Sequence, residues 1–114
     1  MYSLEEWKRR LRKYSPENIK GFDDEHVKMR MEQRGITKEM IEENLLNPDK
    51  LIEVSEQESL IKEINKFEFC FELSHKRELS LIVKMDSKDL YLTTCIIKYR
   101  KWQKEVDRWK RKRF

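Results

Sequence analysis

Phe67-Glu68-Phe69-Cys70-Phe71-Glu72-Leu73-Ser74 is the stretch that decides the fold. Successive side chains of a strand point to opposite faces, so a period of two marks a strand with one face in the core. Here Phe67, Phe69, Phe71 and Leu73 form the apolar set, and Glu68, Cys70, Glu72 and Ser74 form the other. His75-Lys76-Arg77-Glu78 then reads as a polar turn. Leu79, Leu81, Val83 and Met85 continue as a second alternating strand, closed by the turn Asp86-Ser87-Lys88-Asp89. From Leu90 to Tyr99 both faces are apolar, Leu90, Leu92 and Ile96 against Tyr91, Cys95 and Ile97, as suits a central strand. Upstream, Leu51-Ile52-Glu53-Val54 is a short strand. The result is an antiparallel meander of about four strands.

Before residue 50 the period is helical. Ser3 and Glu6 form an S-x-x-E capping box, and Leu4, Trp7, Leu11 and Tyr14 follow at helical spacing until Ser15-Pro16 ends the pattern. Gly21-Phe22-Asp23-Asp24 reads as a turn into a second helix, Asp24 to Arg34, with Gly35 as its left-handed stop. Thr37 caps a third helix, which turns Ile41, Leu45 and Leu46 inward and ends at Asn47-Pro48. After the last strand, Tyr99, Trp102, Val106 and Trp109 recur three, four and three apart, the mark of a basic C-terminal helix. Helices, then a meander, then a helix make an α+β domain. No repeat, low-complexity tract or Gly/Ser linker divides it, so residues 1–114 read as one domain.

Charged residues make up 42% of the chain and hydrophobic ones 38%, but the twelve aromatics fall at regular spacings, so apolar area is concentrated where it can be buried. There is no Ala, and only two Gly and two Pro. That composition suits short loops and surface ion pairs, as in proteins from hot environments; nucleotide bias in a genome gives the same result. MYSLEEWKRR carries two acids and no apolar core, unlike a signal peptide, and no run approaches the roughly 20 apolar residues of a membrane span. Cytoplasm is therefore the expected location. Cys70 and Cys95 form no C-x-x-C pair, and neither they nor His26 and His75 have metal-ligand spacing. Two isolated glycines cannot build a phosphate loop, and no cofactor is expected. The net charge of +4 is unevenly spread: +3 over residues 1–14, −6 over 15–97 and +7 over 98–114. An acidic body with a basic tail fits a polyanion footprint, and fits equally a solvated helix end.

Within the second helix His26, Arg30 and Arg34 stand at i, i+4 and i+8, each step advancing only about 40°, so they form one polar stripe. Val27 and Met31 form a neighbouring apolar stripe that anchors the helix. Guanidinium forks match phosphate oxygens, and an imidazole passes protons near neutral pH. The string His26-x-x-x-Arg30-Met31-x-x-Arg34-Gly35-Ile36-Thr37, with Asn47-Pro48-Asp49 beyond it, resembles a widespread small domain of unknown function. That domain is grouped with RelE- and BrnT-like toxins in the barnase/EndoU/colicin/RelE-type RNase superfamily. The Thr93-Thr94-Cys95-Ile96 strand is similar to the family's last core strand, and the resemblance spans about residues 23–100. It leaves residues 1–20 and 101–114 as helical extensions.

The resemblance implies a toxin–antitoxin ribonuclease that cleaves RNA without metal, using the 2′-hydroxyl as nucleophile. It assigns proton transfer to His26, phosphate binding to Arg30 and Arg34, and an orienting role to Thr94 or its neighbour Thr93. It also implies RNA and an antitoxin protein as partners. Each residue has a plainer reading: His26 bonding a carbonyl, Arg30 and Arg34 in surface bridges, Thr94 as a strand former. A mechanism with two histidines requires His26 and His75 to be neighbours. The C-terminal stripe reads as core or as a homodimer seam, while Lys98, Tyr99, Arg100, Lys101, Lys104 and Arg108 beside it could track RNA. A helix-turn-helix DNA reader is excluded, because its reading helix would push Glu39, Glu42 and Glu43 towards phosphates. The remaining alternative is a domain of this fold that binds RNA or protein without cutting.

Overall fold

The computed structural model describes residues 2–57 and 65–99. Three helices, α1 (Leu4–Leu11), α2 (Glu25–Arg34) and α3 (Lys38–Leu46), accompany five strands: β1 (Ile19–Lys20), β2 (Leu51–Gln57), β3 (Asn65–Glu72), β4 (Arg77–Met85) and β5 (Leu90–Tyr99). The class is α+β. Each helix starts on the side chain its sequence supplies. Ser3 Oγ accepts the Glu6 N–H at 3.2 Å, Asp24 Oδ1 accepts the Val27 N–H at 3.1 Å, and Thr37 Oγ1 accepts the Met40 N–H at 3.1 Å. Each cap satisfies an N–H that the helix itself leaves open. Glu6 does not reach back to the Ser3 backbone; its carboxylate accepts the Ser3 hydroxyl. Gly35 ends α2 with φ 63°, and the Ile36 N–H returns to the Met31 carbonyl, so α3 follows after a single turn.

The sheet order is β1-β5-β4-β3-β2. The expected antiparallel meander is present as β2 to β5. A fifth strand joins it: Ile19 and Lys20 pair in parallel with Leu90 and Tyr91. Two residues are too short to show a period, which is why sequence patterning passes over them. All three helices contribute to a core on one face of the sheet. Trp7 and Leu11 from α1, Val27 from α2, and Ile41 and Leu45 from α3 meet Phe69, Phe71, Leu79, Leu81 and Val83. Leu4, assigned to that stripe by spacing, lies at the start of α1 and is 39% exposed.

The assignment of faces in β5 needs correction. Ile82 stands opposite Thr94 but Val83 stands opposite Leu92, so Thr93 is an extra residue, a β-bulge. The bulge shifts the phase by one. Leu90, Leu92 and Cys95 share the core face, whereas Ile96, grouped with Leu90 and Leu92 by simple alternation, is 38% exposed. Cys70 and Cys95 lie on opposite faces of strands separated by β4, roughly 10 Å apart, too far to form a disulfide. Burial holds the Cys70 thiol up at about 11. The basic C-terminal helix, with its proposed dimer seam, lies outside the described residues.

Candidate functional site

The placement of α2 depends on one close approach. Gly21, with φ 103°, lies directly against the backbone of Leu92 on β5, and its carbonyl accepts the N–H of Asp24, the cap of α2. The helix therefore starts beside the bulge. Val27 (1% exposed) fixes its underside in the core. At its far end the Arg34 guanidinium donates to the Cys95 carbonyl, tying α2 to β5. Replacing Arg34 with alanine removes a charge-assisted bond and is expected to lower stability by on the order of 1–2 kcal/mol. Urea unfolding measures this directly; an unchanged midpoint would deny Arg34 that structural role.

Between the first turns of α2 and the bulge lies an open hollow of about 540 Å³. Val27 and Leu92 supply its apolar part. Asp24, His26 and Arg30 come from α2 and its cap, Lys84 from β4, and Thr93 and Thr94 from β5. Thr93 Oγ1 donates to the Ile82 carbonyl at 2.9 Å, so its hydroxyl is occupied by the bulge; the Thr94 hydroxyl has no partner among the described residues. Neither His26, Arg30 nor Lys84 is ion-paired there. Asp24 is the one carboxylate in the lining, and it accepts the Val27 N–H. Unpaired cations, together with the positive end of a ten-residue helix, make the hollow attractive to an anion. Cys95, beneath Arg34 and Arg30, is fully buried, and burial raises its thiol above the ordinary value although both guanidiniums pull it down. It is no ready nucleophile.

His26, Arg30, Thr93 and Thr94 are thus brought together, and Arg34 is not. Two helical steps of about 40° and a rise of roughly 12 Å carry it past the hollow to Cys95. Lys84 and Asp24 escaped sequence reasoning. Lys84 resembles any exposed lysine until the β4–β5 register sets it next to the bulge, and Asp24, expected where the turn enters the second helix, joins the lining only because that helix starts against β5. His75 lines a different depression, with Tyr99. The start of β4 beside it is seven residues from Lys84, roughly 23 Å of strand, so His26 and His75 cannot share a reaction.

Lys98 is committed elsewhere. Its Nζ lies 2.8 Å from Glu68 Oε2, which also accepts the Ser80 hydroxyl. These bonds hold the Glu68 carboxyl below its ordinary 4.5, and Glu68 in turn raises Lys98. A depressed carboxyl stabilises the fold above its unfolded value and loses that contribution as pH falls through the folded one. Glu68→Gln should therefore lower the melting temperature at pH 7 and make progressively less difference below pH 4.5, as melts across pH can follow. A deficit that persisted undiminished in acid would contradict this account. Tyr99 ends β5 and is 60% exposed, far from the hollow. Arg100, Lys101, Lys104 and Arg108 lie outside the described residues.

Among the described residues no three His, Cys, Asp or Glu side chains could hold a metal ion, and no helix is long and apolar enough to cross a membrane. Residues 24–101 match a family model described as a domain of unknown function, DUF4258. No curated protein and no solved structure matches the chain.

Proposed function

The chain belongs to the DUF4258 family, and we propose that within it this protein acts on RNA, cleaving it without metal at the hollow between α2 and β5. The observation that carries the reading is the company of groups in that hollow: an imidazole, a guanidinium, an ammonium and an uncommitted hydroxyl, the cations unpaired. In the reaction His26 takes the proton of the ribose 2′-hydroxyl. The oxygen attacks the adjoining phosphorus, Arg30 and Lys84 balance the charge crowding onto the phosphate, and the bond to the 5′-oxygen breaks as that oxygen takes a proton from solvent water. The products are a 2′,3′-cyclic phosphate and a 5′-hydroxyl. Thr94 orients the phosphate or a water. Arg34 acts by holding the helix against the strand.

The likeness of the His26 to Thr37 string to RelE- and BrnT-type toxins supports the same reading. It makes the natural partner an antitoxin protein covering the hollow, with the cytoplasm as the place of action. A second reading has its own support. The His26 imidazole has no hydrogen-bond partner among the described residues, so no side chain fixes its tautomer, as suits a domain that binds RNA without cutting.

The deciding experiment incubates purified protein with single-stranded RNA in EDTA and examines the ends. Fragments carrying 2′,3′-cyclic phosphate are expected. Bound but intact RNA would replace the nuclease with the binder, and absence of RNA affinity at low salt would remove both.

A further inference from the structure

A second recess opens between α1 and the ends of β3 and β4. It measures about 740 Å³, and its walls include Tyr2, Trp7, Arg10, Lys13, Tyr14 and Phe67. None of these belongs to the hollow beside α2, and α1 precedes the residues matched to the family.

The rings in this recess are set edge to face. Trp7 meets Tyr2 at 5.3 Å and 86°, and meets Phe67 at 4.8 Å and 64°. The Arg10 guanidinium lies 4.3 Å from the centre of the Tyr2 ring and 5.8 Å from that of Trp7. Tyr2 is 46% exposed, so much of its surface remains open to a ligand. Neither Arg10 nor Lys13 has a carboxylate partner among the described residues. Asp86, the acid at the rim, directs its Oδ1 to the Lys88 and Asp89 N–H groups at 2.8 and 2.7 Å, back into its own turn. Trp7 is 2% exposed, and its indole N–H finds no acceptor among the described residues.

A ligand suited to these walls has a flat ring to lie against aromatic surface and a negative charge beside it to meet two cations. An acidic peptide supplies the charge, with a ring beside it only where an aromatic residue adjoins. A duplex keeps its bases stacked on one another, whereas a single strand offers both ring and phosphate. We infer that this recess is a single-strand subsite, in which one unpaired base stacks on Tyr2 while the adjoining phosphate meets Arg10 and Lys13. The inference rests on the RNA reading for its ligand and on no residue of the hollow for its geometry.

A short, fluorescently labelled single strand with 2′-O-methyl riboses tests it, because that strand cannot be cut by attack of its own 2′-oxygen. By anisotropy at low salt, Tyr2→Ala and Arg10→Ala should each weaken binding about tenfold. Both side chains are exposed, so the melting temperature should hold, and two separate variants guard against an accident of one. The duplex of the same sequence should bind without dependence on Tyr2. Equal affinity of wild type and both variants would overturn the subsite and leave the hollow's reading intact. Failure of the wild type to bind any strand would overturn the subsite and the RNA reading together. Natural RNA left uncut, with the two variants still weak, would support the subsite and end only the nuclease.

Discussion

His26→Ala is expected to slow RNA cleavage by about 10²- to 10⁴-fold, the usual worth of a positioned proton-transfer group. Its effect on stability should be small, within about half a kcal/mol, because the side chain is exposed and anchors nothing. That separation makes the experiment informative. A variant that melts with the wild type but fails to cut has lost chemistry and not structure. RNA binding should also survive, since the charge that attracts the phosphate comes from Arg30 and Lys84. Arg30→Ala and Lys84→Ala should slow cleavage as well and, unlike His26→Ala, weaken affinity and flatten its dependence on salt by about one counterion each. His75→Ala should change none of these, standing as it does at the other end of β4. Single-turnover cleavage at saturating RNA, measured with affinity at two salt concentrations, distinguishes the three patterns. A wild-type rate in His26→Ala would sink the assignment of the imidazole.

What the sequence made legible follows from how local each signal is. The caps at Ser3 and Thr37 and the stop at Gly35 act within a few residues, and β3 and β4 carry a strict alternation, so these elements stand where patterning puts them. The site was half legible for the same reason. His26 and Arg30 are one turn apart on one helix, and the helix alone makes them neighbours. Arg34 looks like the third member of that stripe, but only the meeting with β5 shows that its guanidinium is spent on the Cys95 carbonyl. The bulge at Thr93 left a trace: the apolar spacing Leu90, Leu92, Cys95, Ile97 slips by one in the middle of the strand. Reading the slip as a bulge would have predicted the faces correctly, and with them the distinct fates of the Thr93 and Thr94 hydroxyls. Lys84 left no trace at all, because its neighbours come from the pairing of strands and not from its surroundings in sequence.

The same strand pairing makes Gly21 the more sensitive of the two glycines. Its φ of 103° lies where L side chains are strained, and a Cβ there would stand 2.5 Å from the Leu92 carbonyl oxygen and 3.1 Å from the Leu92 nitrogen. Both are backbone atoms of a strand held by β4, so the loop must move instead. The loop has little room to do so. On one side Ile19 and Lys20 are paired with Leu90 and Tyr91, and on the other the Gly21 carbonyl accepts the N–H of Asp24 as α2 begins. Gly21→Ala is therefore expected to destabilise the protein by roughly 3 kcal/mol or more, strain and displacement together. That corresponds to a fall of more than about 10 °C in melting temperature. Gly35 is the built-in control: its φ of 63° is also left-handed, yet nothing lies within 4 Å of its missing Cβ. Gly35→Ala should cost only the conformational strain, about 1 kcal/mol. Parallel melts of the two variants decide the matter. Equal losses would mean that backbone angle alone matters and that the contact with Leu92 is dispensable. A much larger loss at Gly21 would mean that the approach of this loop to β5 sets the position of α2, and with it the distance from His26 and Arg30 to the bulge.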